Sequence, residues 1–331
     1  MAEVRKVRVS SRPASRALGP AESGGSATRL LPKMHRHVIL NRRLVEATKA
    51  RLRAVSAFAL YGRGVYTTVA VHKARPFLWD AHWSRLLAHA ARAGIEVDFG
   101  DNETALLLAR LVEANAVERG RARVHLLARA VRGRWKFEGQ EAGAQADARA
   151  SDLLIVTADP WPHPDSLSLT VSPFRLNTHS PLAGLKTISR LEHVLALEEA
   201  RSRDFDEAVV TNERGEVAGA VAANIFWVKH GTLHTPALAT GALAGTTRAC
   251  VLELAAELAV PCVEAAQGLH ELGEADEIFL TSSSLGVAPV AAFDYHRYTP
   301  HAGSVTPRLR EAFRQLTLHA DTDTGPQPVR V

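Results

Sequence analysis

Lys186 stands between Leu185 and Thr187 in the stretch PLAGLKT, an apolar turn that contains a glycine. The chain has seven lysines among its 40 basic residues, so arginine is its default cation, and a lysine at this point offers something arginine does not. A desolvated lysine amine gives up its proton and can attack a carbonyl to form a Schiff base. On residue type alone, a snorkelling surface lysine is the commoner reading. A second chemical signature lies in GALAGTTRACVLELAAELA, where Gly245, Thr246 and Thr247 open an apolar helix. Unpaired backbone N–H groups and the helix dipole favour a phosphate at such a start. The alternative is an ordinary threonine-capped helix.

The elements that must position these residues follow from periodicity. Two short strands flank Asn41-Arg42-Arg43, a third strand is expected to run through Ala57, and the β-branched run VYTTVAVH after Gly62 and Gly64 is expected to form a fourth. Asp80 is the expected N-cap of a helix whose Trp83, Leu86, Leu87 and Ala90 share a face and which Gly94 stops. A second helix is expected over about Glu103 to Glu118, followed by a strand in RVHLLARAV. Helices laid on an antiparallel sheet make residues 37–157 a small α/β domain. The prolines of TADPWPHPDS mark a connector at 158–166. A larger domain is expected over 167–320. Its strands are read at 167–173, 206–212, 222–228, near Cys262, 277–281 and 286–293. Its helices are read at 188–203, after Gly245 and from about Thr306 to Leu318. Residues 1–36 and 321–331 read as disordered extensions.

Composition narrows the function classes. The pI near 9.5 raises a nucleic-acid partner, but the charge is local. Arg5, Lys6, Arg8, Arg12, Arg16, Arg29 and Lys33 stand against Glu3 and Glu22, a surplus equal to the formal +5 of the whole chain. The body is therefore neutral and a nucleic-acid partner is not expected. The Arg- and Ser-rich leader also has some character of an organelle transit peptide, though Glu3 and Glu22 interrupt it. No apolar run approaches the roughly 18 residues of a membrane span, and the leader lacks the apolar centre of a signal peptide. A cytoplasmic location without a membrane partner is expected. Cys250 and Cys262 have no metal-ligand spacing and read as buried free thiols, and no metal is expected.

Four stretches, in this order, carry a family resemblance: LAGLKTISRLEHVLALEEA, DEAVVTNERGEVAGAVAANIFWV, TGALAGTTR and DEIFLTSSSLGVAPV. Together they resemble the fold-type IV enzymes of pyridoxal 5'-phosphate (PLP), which include branched-chain and D-amino-acid aminotransferases and 4-amino-4-deoxychorismate lyase. The likeness runs from about Ile39 to Gln315. It implies an α/β (α+β) fold of two domains, the larger built on a mixed, partly barrel-like sheet, and a homodimer acting on a small amino substrate. It implies that Lys186 anchors PLP and moves protons, and that Gly245 and the backbone N–H groups of Thr246 and Thr247 hold the phosphate. Ser283 matches a hydroxyl that reaches the same phosphate, and Ser282 and Ser284 then fall near the substrate; by themselves they read as a polar turn. Arg85 matches the arginine of an H-x-x-R-L pattern, His82-Trp83-Ser84-Arg85-Leu86, which supplies a charged phosphate contact. Periodicity alone sets Arg85 apart from the Trp83/Leu86/Leu87 stripe, as a solvated residue.

Arg190, four residues after the lysine, resembles the lyase pattern and suits an anionic substrate; its alternative is a helix-surface ion pair. One position departs from the family. The glutamate usually found five residues before the asparagine of N-[IL]-F, here Asn224, is replaced by Gly219. That glutamate keeps the pyridine nitrogen protonated, and Glu216, at an odd offset along the strand, points to the other face. Three functions follow: a lyase releasing pyruvate from 4-amino-4-deoxychorismate, a branched-chain or D-amino-acid transaminase, and a non-catalytic PLP-binding protein.

Overall fold

The computed structural model describes residues 32–129, 150–162, 165–299, 301 and 303–319. Most of the expected N-terminal extension and the whole C-terminal tail lie outside them. The N-terminal part contains β1 (Met34–Leu40), β2 (Arg43–Glu46), α1 (Ala57–Tyr61), β3 (Gly64–His72), β4 (Arg75–Pro76), α2 (Trp79–Arg92), α3 (Asp101–Ala114), β5 (Arg119–Ala128) and β6 (Ser151–Ala158). Its six strands are all antiparallel, in the order β2-β1-β6-β5-β3-β4. Alternation sorts the side chains of β3 and β5 between two faces. Val65, Val71, Val124 and Leu126 go to a core under α2 and α3, shared with Trp83, Leu86, Leu108 and Leu111. Tyr66 and Thr68 sit opposite His125 and Arg123 on the other face.

The C-terminal part contains β7 (Leu167–Val171), α4 (Leu191–Ser202), β8 (Glu207–Thr211), β9 (Val217–Ala220), β10 (Asn224–Lys229) and β11 (Thr232–Pro236). It continues with α5 (Thr246–Glu257), β12 (Cys262–Ala265), α6 (His270–Gly273), β13 (Glu277–Ser282), β14 (Gly286–Phe293), β15 (His296–Arg297) and α7 (Val305–His319). The sheet runs β12-β11-β10-β13-β14-β7-β8-β9, with β15 added to β14, and it is mixed. Although β9 ends this order and β10 is third from the other end, three residues join them. So short a link spans about 10 Å, so the sheet curls into a half-barrel. Inside the curl lie Leu169, Val209, Ile225, Trp227 and Ile278. On the outside Phe226 stacks on Phe279 at 5.0 Å under α5 and α7. The apolar run NIFWV thus fills both faces of β10, as a doubly covered strand requires.

Several expectations change. No strand runs through Ala57: Ser56 caps α1 by accepting from the Ala59 N–H at 3.3 Å, and Gly62, at φ +64°, closes it. The cap of α2 is Leu78, at φ 54°, so Asp80 lies within the first turn, where it complements the dipole. Leu87 is exposed although Trp83, Leu86 and Ala90 are buried. The second helix stops at Ala114 because Ala116 takes a left-handed φ of 51°. Cys262 is exposed, not buried, while Cys250 is buried, and both are free thiols. The strand expected to carry Gly219 is β9, while β6 and β11 are elements the sequence reading does not include.

Candidate active site

Lys186 lies in the crossover that joins the parallel strands β7 and β8, and backbone pairing fixes its place. The Tyr66 N–H donates to Lys186 O at 3.0 Å, the Ile188 N–H donates to Gly64 O at 3.0 Å, and Thr187 bridges Val65. The lysine loop therefore adds to the free edge of β3 and crosses from one sheet to the other. The Lys186 N–H donates to His89 Nδ1 at 3.1 Å. Its amine lies over the Tyr66 ring, with Nζ 5.0 Å from the centroid. Burial, followed by the Arg190, Arg85 and Arg123 guanidiniums, holds this amine well below the usual lysine range.

At the start of α5 no side chain caps the first turn, so the N–H groups of Thr246 and Thr247 point out of a buried helix end. A Cβ at Gly245 would run into Asn224 Oδ1, so only glycine lets the chain pass so close. Asn224 also donates to Leu243 O at 2.8 Å, which pins the turn before the helix. Arg85 is not the solvated residue that periodicity suggested. It is half-buried and donates to Thr67 Oγ1 at 2.9 Å and to Ala244 O at 3.2 Å, beside the helix start. Burial lowers its pKa to about 10, so it remains a cation at neutral pH.

Ser283 joins this group, with its Oγ 3.4 Å from His82 Nε2. Ser282 accepts from the Leu285 N–H at 3.2 Å and so shapes the β13–β14 turn, in which Ser284 is also partly exposed. Arg190 immediately precedes α4, which begins at Leu191 rather than 188, and among the described residues it makes no helix-surface ion pair. It donates to Val221 O at 2.8 Å, and burial lowers its pKa.

The sequence did not single out Tyr66, Arg123, His125, His82 or His89. Arg123 Cζ lies 4.8 Å from the Tyr66 centroid, and His125 stacks on the same ring at 5.7 Å. Mainly through burial, His89, His125 and His193 are each held near a pKa of about 4. Among the described residues no carboxylate forms an ion pair with Lys186, Arg85, Arg123 or Arg190. The acid that acts on Arg190 is Glu207, which burial raises to about 7 and which accepts from the Ala208 and Ala222 N–H groups. Glu216 is engaged with Arg214 and Asn212. An amine, a bare helix start and several cations with no ion-paired acid among the described residues thus converge between the two sheets. Such a site can hold a phosphate and a further anion, and can carry out amine chemistry beside them.

A family model described as "Amino-transferase class IV" matches residues 64–293, a span that includes all of these groups. An aminodeoxychorismate lyase of Bacillus subtilis strain 168 is 29% identical over 282 residues, covering 84% of this chain and 94% of that protein. A D-alanine aminotransferase of Listeria monocytogenes serotype 4b (strain F2365) is 27% identical over 292 residues, covering 86% and 96%. Among solved structures, a branched-chain aminotransferase of Thermoproteus uzoniensis with norvaline superposes with a TM-score of 0.76 at 25% identity, over 87% of this chain and 96% of that one.

Proposed function

The chain belongs to the class IV aminotransferase family, and from that premise we propose that it is a PLP enzyme acting as a 4-amino-4-deoxychorismate lyase, which splits its substrate into pyruvate and 4-aminobenzoate. The donor set fits the cofactor. The first turn of α5, Arg85 and Ser283 are donors with no acid among them, suited to a phosphate, and burial and like charges hold the Lys186 amine well below the usual lysine range. We read residues 37–157 and 167–320 as two domains with this site between them.

When bound, PLP supplies an electron sink for the bond broken at the substrate's amine-bearing carbon. The chain's own groups do the rest. Lys186 Nζ, whose proton affinity burial lowers, can take the proton from that carbon and return it to the leaving fragment. Arg190 and Arg123 bind the substrate's carboxylates and orient it over Tyr66.

The observation that carries the lyase reading is the cluster of Lys186, Arg190 and Arg123 around one aromatic ring, with no ion-paired acid among the described residues. An aliphatic amino acid offers one carboxylate to such a cluster, whereas aminodeoxychorismate offers two. Gly219 also weighs toward the lyase, because loss of pyruvate makes the substrate ring aromatic and asks less of a pyridine ring without a carboxylate partner. Amino transfer stands as the second reading, since two of the three similar proteins named above are aminotransferases.

Kinetics of Arg123→Gln separate the two. Loss of a charge-assisted pair is worth about 1.5–3 kcal/mol. KM for aminodeoxychorismate should therefore rise at least tenfold while turnover of D-alanine or leucine stays as it was. A uniform loss on all substrates would remove Arg123 from substrate recognition. We further assign a cytoplasmic homodimer in folate biosynthesis. The free thiols suit a reducing compartment, and Leu191, Val194 and Leu195 expose an apolar stripe on α4 that suits a second copy.

A further inference from the structure

His82 is buried on α2, one turn before Arg85, and touches three hydroxyls from three other segments. Thr67 Oγ1 on β3 lies 2.7 Å from its Nδ1. Thr246 Oγ1 at the start of α5 lies 3.2 Å from Nε2, and Ser283 Oγ in the β13–β14 turn lies 3.4 Å from the same nitrogen.

One fixed donor sets the direction of the whole chain. A guanidinium has only N–H groups, so Arg85 donates to Thr67 Oγ1 at 2.9 Å. The Thr67 hydroxyl is fully buried and must place its own proton, and among the described residues the acceptor within reach is His82 Nδ1. A neutral imidazole with an accepting Nδ1 carries its hydrogen on Nε2. Burial, followed by the nearby Arg85 guanidinium, holds this ring well below the usual histidine range. Nε2–H then donates toward Thr246 and Ser283, so neither hydroxyl spends its proton on the histidine. The reverse direction would leave the Thr67 proton buried without an acceptor and would draw a Thr246 or Ser283 proton onto Nε2.

Resting on the PLP reading above, we infer that His82 is a positioning residue that sets the proton polarity of the phosphate cup. Through Arg85, Thr67 and His82 in turn, the Thr246 and Ser283 hydroxyls become donors, and the cup takes a group with acceptors only, a phosphomonoester dianion.

The test compares binding of PLP and of phosphate-free pyridoxal to wild-type protein, His82→Gln, His82→Leu and Thr67→Val, with 15N NMR of the histidine ring in the apo wild type. The glutamine amide can keep a donor near the Nε2 position, whereas leucine cannot. Thr67→Val is close to isosteric and keeps the comparison informative where a buried His82 variant does not fold. The expected results are an Nε2–H tautomer at His82, PLP binding weakened about tenfold in His82→Leu and several-fold in Thr67→Val, a smaller loss in His82→Gln, and unchanged binding of pyridoxal. An Nδ1–H tautomer, or equal losses for PLP and pyridoxal, overturns the relay. Wild-type protein that binds pyridoxal as tightly as PLP, with no adduct trapped on Lys186, overturns the PLP reading instead.

Discussion

At the scale of single residues, the site is a set of bases held away from protons. His125 sits near a pKa of about 4 in the folded protein against an ordinary 6.5, because it is buried beside Arg123. The unfolded chain therefore binds the extra proton between about pH 4 and 6.5. This contribution to stability is intact above pH 6.5 and is lost as the pH falls through that window. Glu207 has the opposite sign: raised to about 7 from 4.5, it contributes fully below pH 4.5 and loses that contribution as the pH rises toward 7 and beyond. In apo protein, calorimetry should find a smaller drop in Tm from pH 7 to pH 5 in His125→Gln than in wild type; an equal drop would mean that His125 is not held neutral by the fold. Gly219 makes a second residue-level prediction. Its φ is +157°, and an added Cβ would lie 3.3 Å from Ala223 O. Gly219→Glu should therefore lower unfolding stability by about 1–3 kcal/mol in urea titration. It should also raise Cα-proton exchange several-fold by supplying the carboxylate that the position lacks. A folded variant that holds PLP with no gain in exchange would show that ring-nitrogen protonation does not limit this protein.

At the scale of elements, α2 and the start of α5 make the site together. His82, Arg85 and His89 are spaced i, i+3 and i+7, so one face of α2 meets the helix start, the β3 edge and the lysine loop at once. That spacing was legible in the sequence, but hydrophobic periodicity reads only the apolar face and assigned Arg85 to solvent. Lys186 and the Gly245-Thr246-Thr247 start drew notice as local signals, a rare lysine in an apolar turn and a glycine before an apolar helix, but locally each also read as a surface lysine or an ordinary cap, and the family resemblance decided between the readings. Tyr66, His125 and Arg123 were not legible, because they meet only through the pairing of β3 with β5, and register is a long-range property. α1, which the sequence read as a strand, has only five residues, between a serine and a glycine that act as caps at its two ends. At this scale Arg85→Gln should weaken PLP binding about tenfold or more, as expected for loss of a charge-assisted contact, while leaving Tm within a few degrees. Unchanged affinity by spectroscopic titration would take the phosphate away from α2.

At the scale of the whole molecule, the curled C-terminal sheet fixes the start of α5 and the β13–β14 turn, and the N-terminal sheet brings β3 and α2 against them. The lysine loop pairs with the edge of β3, so neither sheet completes the site alone. Both must hold their places for Lys186 to sit over Tyr66. The most direct measurement of the central claim is product analysis of the PLP-loaded protein with 4-amino-4-deoxychorismate, run beside Lys186→Ala and beside D-alanine or leucine with 2-oxoglutarate. The wild type should release pyruvate and 4-aminobenzoate in equal amounts, and Lys186→Ala should release neither while remaining folded. Glutamate formed from 2-oxoglutarate, with no pyruvate from aminodeoxychorismate, would contradict the lyase assignment and make the protein a transaminase.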